Sequence, residues 1–368
     1  MSIPSRVSGR RMMVLASVLA AGAALVVGGR LRAEQQGAAP APAQNFDNVQ
    51  IDVVPVRGGV YMLVGAGGNT TIQVGSEGVM VVDTQFAPLS TKIVNAIKAI
   101  SPEPIRYVVN THVHADHIGG NEAIAAAGRT RAGGNVVGDI GSAATDTARI
   151  IAHENVLNRM VKGQPPVPRA AWPTETFFTR KKEMLFNDEA VQIIHEPKAH
   201  TDGDAMVFFR RTDVLATGDL FTTTMYPFID QVNGGSINGY IDALNAIIDI
   251  TVPNNTNEGG TMVIPGHGRL CDEQDVIEYR DMTTIVRDRI REYVKRGMTL
   301  EQVRAKRPTL DFDPRYGADS GSSTTAMFVE AIYKDMVQER AAQSKAPAAS
   351  GRTQSPKGSQ NQQKGSGK

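Results

Sequence analysis

The segment His112-Val113-His114-Ala115-Asp116-His117 sets four metal-ligating side chains within six residues. Imidazole and carboxylate are the ligands zinc takes where its coordination sphere must stay open for chemistry. Four convergent ligands need a rigid seat, and the flanking residues say where it lies. Residues 105–110 read as a short β-branched strand. After the ligands, Ile118-Gly119-Gly120-Asn121 opens an alanine-rich helical run to about Ala127. The cluster therefore sits on a loop between a strand end and a helix start, where open α/β sheets bind their ligands. Three more candidates follow on glycine-marked loops: His200 in Ala199-His200-Thr201-Asp202-Gly203, Asp219 in Thr217-Gly218-Asp219, and His267 in Pro265-Gly266-His267-Gly268. The chain has seven histidines and five lie in these segments, which a random scatter would rarely produce.

The remaining patterning alternates strands with helices, an argument for α/β layers. Residues 53–56 and 60–64 read as strands. Residues 70–74 and 78–82 read as a hairpin across Gly75-Ser76-Glu77. A helix is expected from about Leu89 to Ile100, stopping before Pro102, and another in a stretch near 141–162. Residues 184–194, 205–210 and 214–217 read as strands, about 237–250 as a helix, and 262–264 as the strand that delivers His267. Asp272 can cap a long helix ending at Gly297. Thr299-Leu300-Glu301-Gln302 is a capping-box pattern. Phe328, Val329, Ile332, Tyr333, Met336 and Val337 form an apolar stripe at helical spacing, read as packing.

In residue type and order, the His-x-His-x-Asp-His segment with the later His200, Asp219 and His267 resembles the metallo-β-lactamase superfamily of zinc hydrolases, over about residues 50–270. The resemblance implies a four-layered αβ/βα sandwich with its metals at one edge. It implies that His112, His114 and His200 hold a first zinc ion, and that Asp116, His117 and His267 hold a second. Asp219 would bridge both, as in thioesterase-like and lactonase-like members. Asp83, in Val81-Val82-Asp83-Thr84, would support the metal loop from behind, since outer carboxylates fix ligand orientation. Zinc is the family's usual metal; this ligand set leaves iron and manganese open. The implied chemistry is hydrolysis by a metal-held hydroxide, because binding lowers the pKa of water from 15.7 to roughly 7. One zinc polarises the substrate carbonyl, the other steadies the leaving atom, and Asp116 is the expected proton carrier.

Other conspicuous residues receive plainer readings. Cys271 is expected to be a small buried residue. His153 is expected in a helix and facing solvent; His195 ends a strand in a structural role. The loop after Asp219 is rich in hydroxyls and aromatics, and Tyr226 on it is a candidate donor to a developing oxyanion. Trp172, the only tryptophan, lies in a Pro-rich stretch and is a candidate lid residue over the site. Arg287, Arg289, Arg291, Lys295 and Arg296 read as a solvated helix face.

The ends differ from the middle. Arg6, Arg10 and Arg11 precede an apolar stretch from Met12 to Gly29, with small residues to Ala33. Residues 1–33 read as a secretory signal, with periplasmic delivery the expected outcome. An uncleaved membrane anchor is the alternative. Residues 34–46 read as a linker, 47–270 as the catalytic domain, 271–340 as a C-terminal helical extension, and 341–368 as a basic tail that cannot bury a core. A net charge of +1 gives no bias toward nucleic acid. One cysteine excludes an internal disulfide framework. The partner expected is a small-molecule substrate; oligomeric state is not legible.

Several functions fit these residues. Export favours a β-lactam hydrolase engaged in antibiotic degradation. An anionic bridge at Asp219 favours a glyoxalase II-like thioesterase or a lactonase instead. A nuclease is disfavoured by the charge, and a non-catalytic metal-binding protein by the complete ligand set. The sequence reading is an exported di-zinc hydrolase of a small carbonyl substrate, β-lactamase-like, with lactam and ester both open.

Overall fold

A computed structural model describes residues 45–130, 147–163, 166–256, 259–321 and 323–345. The chain divides into two units, Met1–Asn45 and Phe46–Lys368, and every element of secondary structure described lies in the second. The expected signal and most of the linker lie outside the described residues.

Two sheets form the centre. The first contains β1 (Asp52–Arg57), β2 (Val60–Val64), β3 (Thr70–Gly75), β4 (Gly78–Val82), β5 (Ile105–Val109), β6 (Arg149–His153) and β7 (Glu175–Phe177), in that order. Pairing is antiparallel through β4 and parallel from β4 to β7. The second runs β12 (Met262–Ile264), β11 (Val214–Ala216), β10 (Ala205–Phe209), β9 (Glu189–His195), β8 (Lys181–Phe186). Only its β11–β12 pair is parallel.

The twofold period of a strand explains the layers. On β4, Val79 and Val81 face one way and Met80 and Val82 the other, all buried. Val79 and Val81 join Leu63, Ile72 and Val108 under helices α1 (Ser90–Ile100) and α3 (Asn121–Ala126), which contribute Ile93, Ile97 and Ile124. Met80 and Val82 join Val60 and Met62 against Val191, Ile193, Val207 and Phe209 of the other sheet. A strand covered on both faces reads as continuous apolar sequence, as β4 does. The far face of the second sheet, through Met206, Leu215 and Val263, packs on α5 (Ile237–Ile250), α6 (Glu273–Lys295) and α9 (Thr325–Lys345). The result is helix, sheet, sheet, helix, the expected four-layered sandwich with C-terminal helices.

Five local expectations are corrected. Arg149–His153 is a strand, not part of a helix; only α4 (Glu154–Lys162) is helical, and residues 141–146 fall outside the described residues. The strand runs into the helix with no intervening turn, so no sequence break marks the change. His153 is consequently buried at 4% exposure and caps α4, its Nδ1 accepting from the Asn155 amide. Residues 184–194 are two strands, broken at Asn187-Asp188, whose φ values of 56° and 55° make the two-residue turn that Asn and Asp tolerate. The first hairpin turns on Ser76-Glu77 alone, since Gly75 pairs with Gly78. The last helix extends to Lys345, past the expected start of the basic tail.

Candidate metal centre

All seven expected ligands come from one edge of the sandwich. His112 to His117 follow β5, with short helix α2 (Ala115–Ile118) carrying Asp116 and His117. His200 lies beyond the end of β9, Asp219 beyond β11 in a 3-10 turn, and His267 beyond β12. Backbone hydrogen bonds lash these loops together. Ala205 N–H donates to Thr111 O across the two sheets, Gly68 N–H to Asp116 O, and Gly266 N–H to Gly218 O. Glycine is required where backbone meets ligand. A Cβ on Gly68 would overlap the His117 ring, and one on Gly266 would overlap Asp219 Oδ1.

The ligand atoms form two groups. His112 Nε2 and His200 Nε2 lie 3.8 and 3.6 Å from Asp219 Oδ2, and His200 Nε2 is 2.8 Å from His114 Nδ1. His117 Nε2 and His267 Nε2 lie 3.1 and 3.4 Å from the other oxygen, Asp219 Oδ1. The same two nitrogens are 3.7 and 3.3 Å from Asp116 Oδ2. Four ligands about 2.0–2.1 Å from a tetrahedral zinc ion stand about 3.4 Å from one another. The donors therefore match the spacing a metal would need.

The other ring nitrogens settle the tautomers. His117 Nδ1 donates to Asp83 Oδ2 at 2.7 Å, and His200 Nδ1 donates to Phe228 O at 2.6 Å. His114 Nε2 donates to Asp230 Oδ2 at 2.8 Å. The Thr111 hydroxyl donates to Asp83 Oδ2, so its oxygen accepts from His112 Nδ1 at 2.9 Å. Each of these rings thus turns its other nitrogen inward, the arrangement in which metal-binding histidines are held. His112 Nε2, His117 Nε2 and Asp219 Oδ1 are buried with no hydrogen-bond partner. Buried polar atoms are costly unless satisfied, and two divalent ions would satisfy all three.

Electrostatics agree. Burial, helped by His117, pushes His112 well below its ordinary pKa, and burial takes His200 down to about 4. Burial opposes a proton on His117 and His267, yet Asp219 and Asp83 hold His117 well above its ordinary value. Asp219 and Asp116 take His267 to about 9. Burial would raise Asp219, but His267 and His117 keep it well below the usual carboxylate range. The site is poised to exchange protons for metal.

Asp83, at the end of β4, lies against the ligand loop. It has φ 61°, an uncommon conformation for a residue with a side chain, and it ties Thr111 and His117 together through both oxygens. Sequence reasoning missed Asp230, the Phe228 carbonyl and Tyr240, whose hydroxyl donates to Asp219 O. Only tertiary contact relates Asp230 to His114, 116 positions away. Tyr226 is a correction. Its ring is 1% exposed and its hydroxyl donates to Thr309 O and Asp313 Oδ1, so it faces the C-terminal helices and not the ligands. Trp172 is not brought to the metal loops' cavity either. It packs with Ile118, Ala152, Val156 and Met160, and its indole N–H donates to Val167 O. Cys271 is buried, as expected, its thiol pushed up by burial to about 12. His195 stacks on His153 with ring centroids 3.6 Å apart.

A sequence profile described as the metallo-beta-lactamase superfamily matches residues 63–253, more than half of the chain. The chain belongs to the metallo-beta-lactamase superfamily. No curated protein matches it. Among solved structures, a sec-alkylsulfatase from a Pseudomonas species shares the fold with a TM-score of 0.57 at 15% identity. That match covers 77% of this chain and 50% of the sulfatase, so the chain spans half that protein's length. A metallo-beta-lactamase from Pontibacter korlensis gives 0.49 at 15% identity, covering 64% of this chain and 99% of its own. The chain thus carries the hydrolase fold of this superfamily, with His/Asp groups able to hold metal.

Proposed function

We propose that this protein is a hydrolase that depends on two divalent metal ions, zinc by preference, and cleaves a small carbonyl substrate. The observation that carries the reading is Asp219, which offers one carboxylate oxygen to each of the two ligand groups. His112, His114 and His200 would hold one ion with Asp219; Asp116, His117 and His267 would hold the other. Divalent ions held there would supply Lewis acidity, lowering the pKa of water from 15.7 to roughly 7 and polarising a carbonyl. The chain's own part is orientation and proton handling. Asp83, Asp230 and Phe228 O each accept from one ring nitrogen and keep the other aimed inward. Asp116 turns Oδ2 to His117 and His267 and lines the cavity, and its other oxygen would take the proton.

The negative bridge at Asp219 favours ester, lactone or thioester cleavage. It makes the centre less electrophilic and crowds the place a lactam carboxylate would take. Export, supported by Arg10-Arg11 and the apolar residues 12–29, is the argument for a lactam. No helix among the described residues is long and apolar enough to cross a membrane. N-terminal sequencing of periplasmic protein tests both the delivery and the cleavage near residue 33.

Activity is tested with purified, metal-analysed protein on a chromogenic cephalosporin, an aryl ester, a lactone, a thioester and a secondary alkyl sulfate. Asp116→Ala is the control. Turnover of a carbonyl substrate, lost in the variant, supports the reading and identifies the bond. Turnover of the alkyl sulfate alone replaces carbonyl hydrolysis with sulfate-ester cleavage. No turnover with two metals bound would support a non-catalytic metal-binding role.

A further inference from the structure

Loop 221–232 leaves Asp219 and supplies two of the groups that orient the histidines, the Phe228 carbonyl and Asp230. It forms no helix, and its only strand-like pairing is a bridge at Thr222. The C-terminal helices fix it from outside. The Tyr226 ring stacks on Phe328 at 4.9 Å, and its hydroxyl is held by Thr309 and Asp313. The Ser323 hydroxyl donates to Tyr226 O and the Tyr279 hydroxyl to Met225 O. Gln231 Nε2 donates to Ala331 O and Asp335 Oδ1.

Thus held, Met225 and Phe228 stand with Phe86 and Ala115 as apolar walls of a cavity of about 340 Å³, with His114, Asp116, Asp219 and His267 also lining it. Among the described residues no lysine or arginine lines it. The one Arg close in sequence, Arg269, is engaged with Asp275 through two nitrogens. Its volume is at the lower end of the ~300–1,000 Å³ of small-ligand pockets. An apolar chain entering it gains by burial. A substrate carboxylate entering it would lose water against Phe86, Met225 and Phe228 with no lysine or arginine beside them to replace that water.

We propose that this cavity selects substrates whose acyl part is uncharged and apolar, an ester or lactone rather than a β-lactam bearing its ring carboxylate, with Phe86, Met225 and Phe228 as the specificity-determining residues. The proposal deepens the hydrolase reading and rests on it for the bond cleaved.

The test uses two chelators on zinc-loaded full-length protein, hexanohydroxamate and 5-carboxypentanohydroxamate. They share head group and carbon count and differ in a terminal methyl against a carboxylate. Calorimetry is expected to show the methyl-ended probe binding at least tenfold tighter. Met225→Lys should erase or invert the preference, and Phe86→Arg makes the same test should the first variant fail to fold. Equal affinity, tighter binding of the carboxylate, or no binding of either overturns the proposal. The nitrophenyl esters of hexanoic and adipic acids separate it from the parent reading. Equal hydrolysis of both overturns selectivity and leaves the hydrolase standing. Hydrolysis of neither, with probe discrimination intact, overturns the hydrolase and leaves the pocket's selectivity.

Discussion

Four imidazoles each spend one nitrogen outward to free the other inward, and the outward partners carry most of the precision at this site. Asp230 is the least visible of them. Burial would raise its carboxyl, but hydrogen bonds from His114 and Asn233 hold it well below the usual range, so it is an anion facing His114 Nε2. Asp230→Asn keeps the shape and removes the charge. It should weaken metal binding about 10–100-fold, the usual cost of losing an outer carboxylate. Chelator competition measures this, and unchanged affinity would remove Asp230 from the centre. The protons tell a second story. In metal-free protein, burial opposes a proton on His267, but Asp219 and Asp116 raise its pKa from 6.5 to about 9. A raised pKa stabilises the fold fully below about pH 6.5, and that stability is lost as pH climbs through about 9. Metal-stripped protein should therefore melt at progressively lower temperature across this window, while metal uptake there releases a proton. Melting curves of stripped and loaded protein check it; a stripped protein that gains stability with rising pH would contradict it.

The elements differ in how openly the sequence displays them. β4 is plain because a strand buried on both faces reads as continuous apolar sequence, Val79 to Val82, and β5 is plain from its β-branched Ile105, Val108 and Val109. α1 is plain because Ile93, Val94 and Ile97 recur at helical spacing. β6 is hidden, since five residues of parallel strand pass directly into α4 and the polar His153 at the junction is a buried cap. The break between β8 and β9 was marked by Asn187-Asp188, but without glycine that dipeptide looks like continuing strand. The ligand loops were legible for a different reason: metal ligands are scarce residue types and glycine marks their loops. Tyr226 shows the limit of such reasoning. Lying seven residues past Asp219, it suggested a site residue, and the chain between them turns it toward Thr309 instead.

For the whole molecule, the C-terminal helices are the outer layer of the sandwich and not an appendage. Ile237, Tyr240, Leu244 and Ile247 of α5 share one core with Val276, Tyr279, Met282 and Val286 of α6 and with Phe328 and Ile332 of α9. Each such side chain is fully or nearly fully buried, and its burial contributes roughly 1.5–3 kcal/mol. Several together exceed the ~5–15 kcal/mol by which a domain is stable. A chain ended at Leu270 should therefore be insoluble or lack a cooperative melt, although it keeps all seven expected ligands. Circular dichroism on heating tests this, and a sharp transition in the shortened chain would show that the catalytic unit folds alone. The sequence by itself determined which residues can hold metal and which layers the strands and helices build, because ligand chemistry and apolar period are local properties of the chain. Tertiary structure alone decided which carboxylate faces which imidazole, where Tyr226 and Trp172 point, and what walls the cavity. Those depend on contacts between segments distant in the chain, such as His114 with Asp230 and Tyr226 with Thr309, which no local pattern encodes.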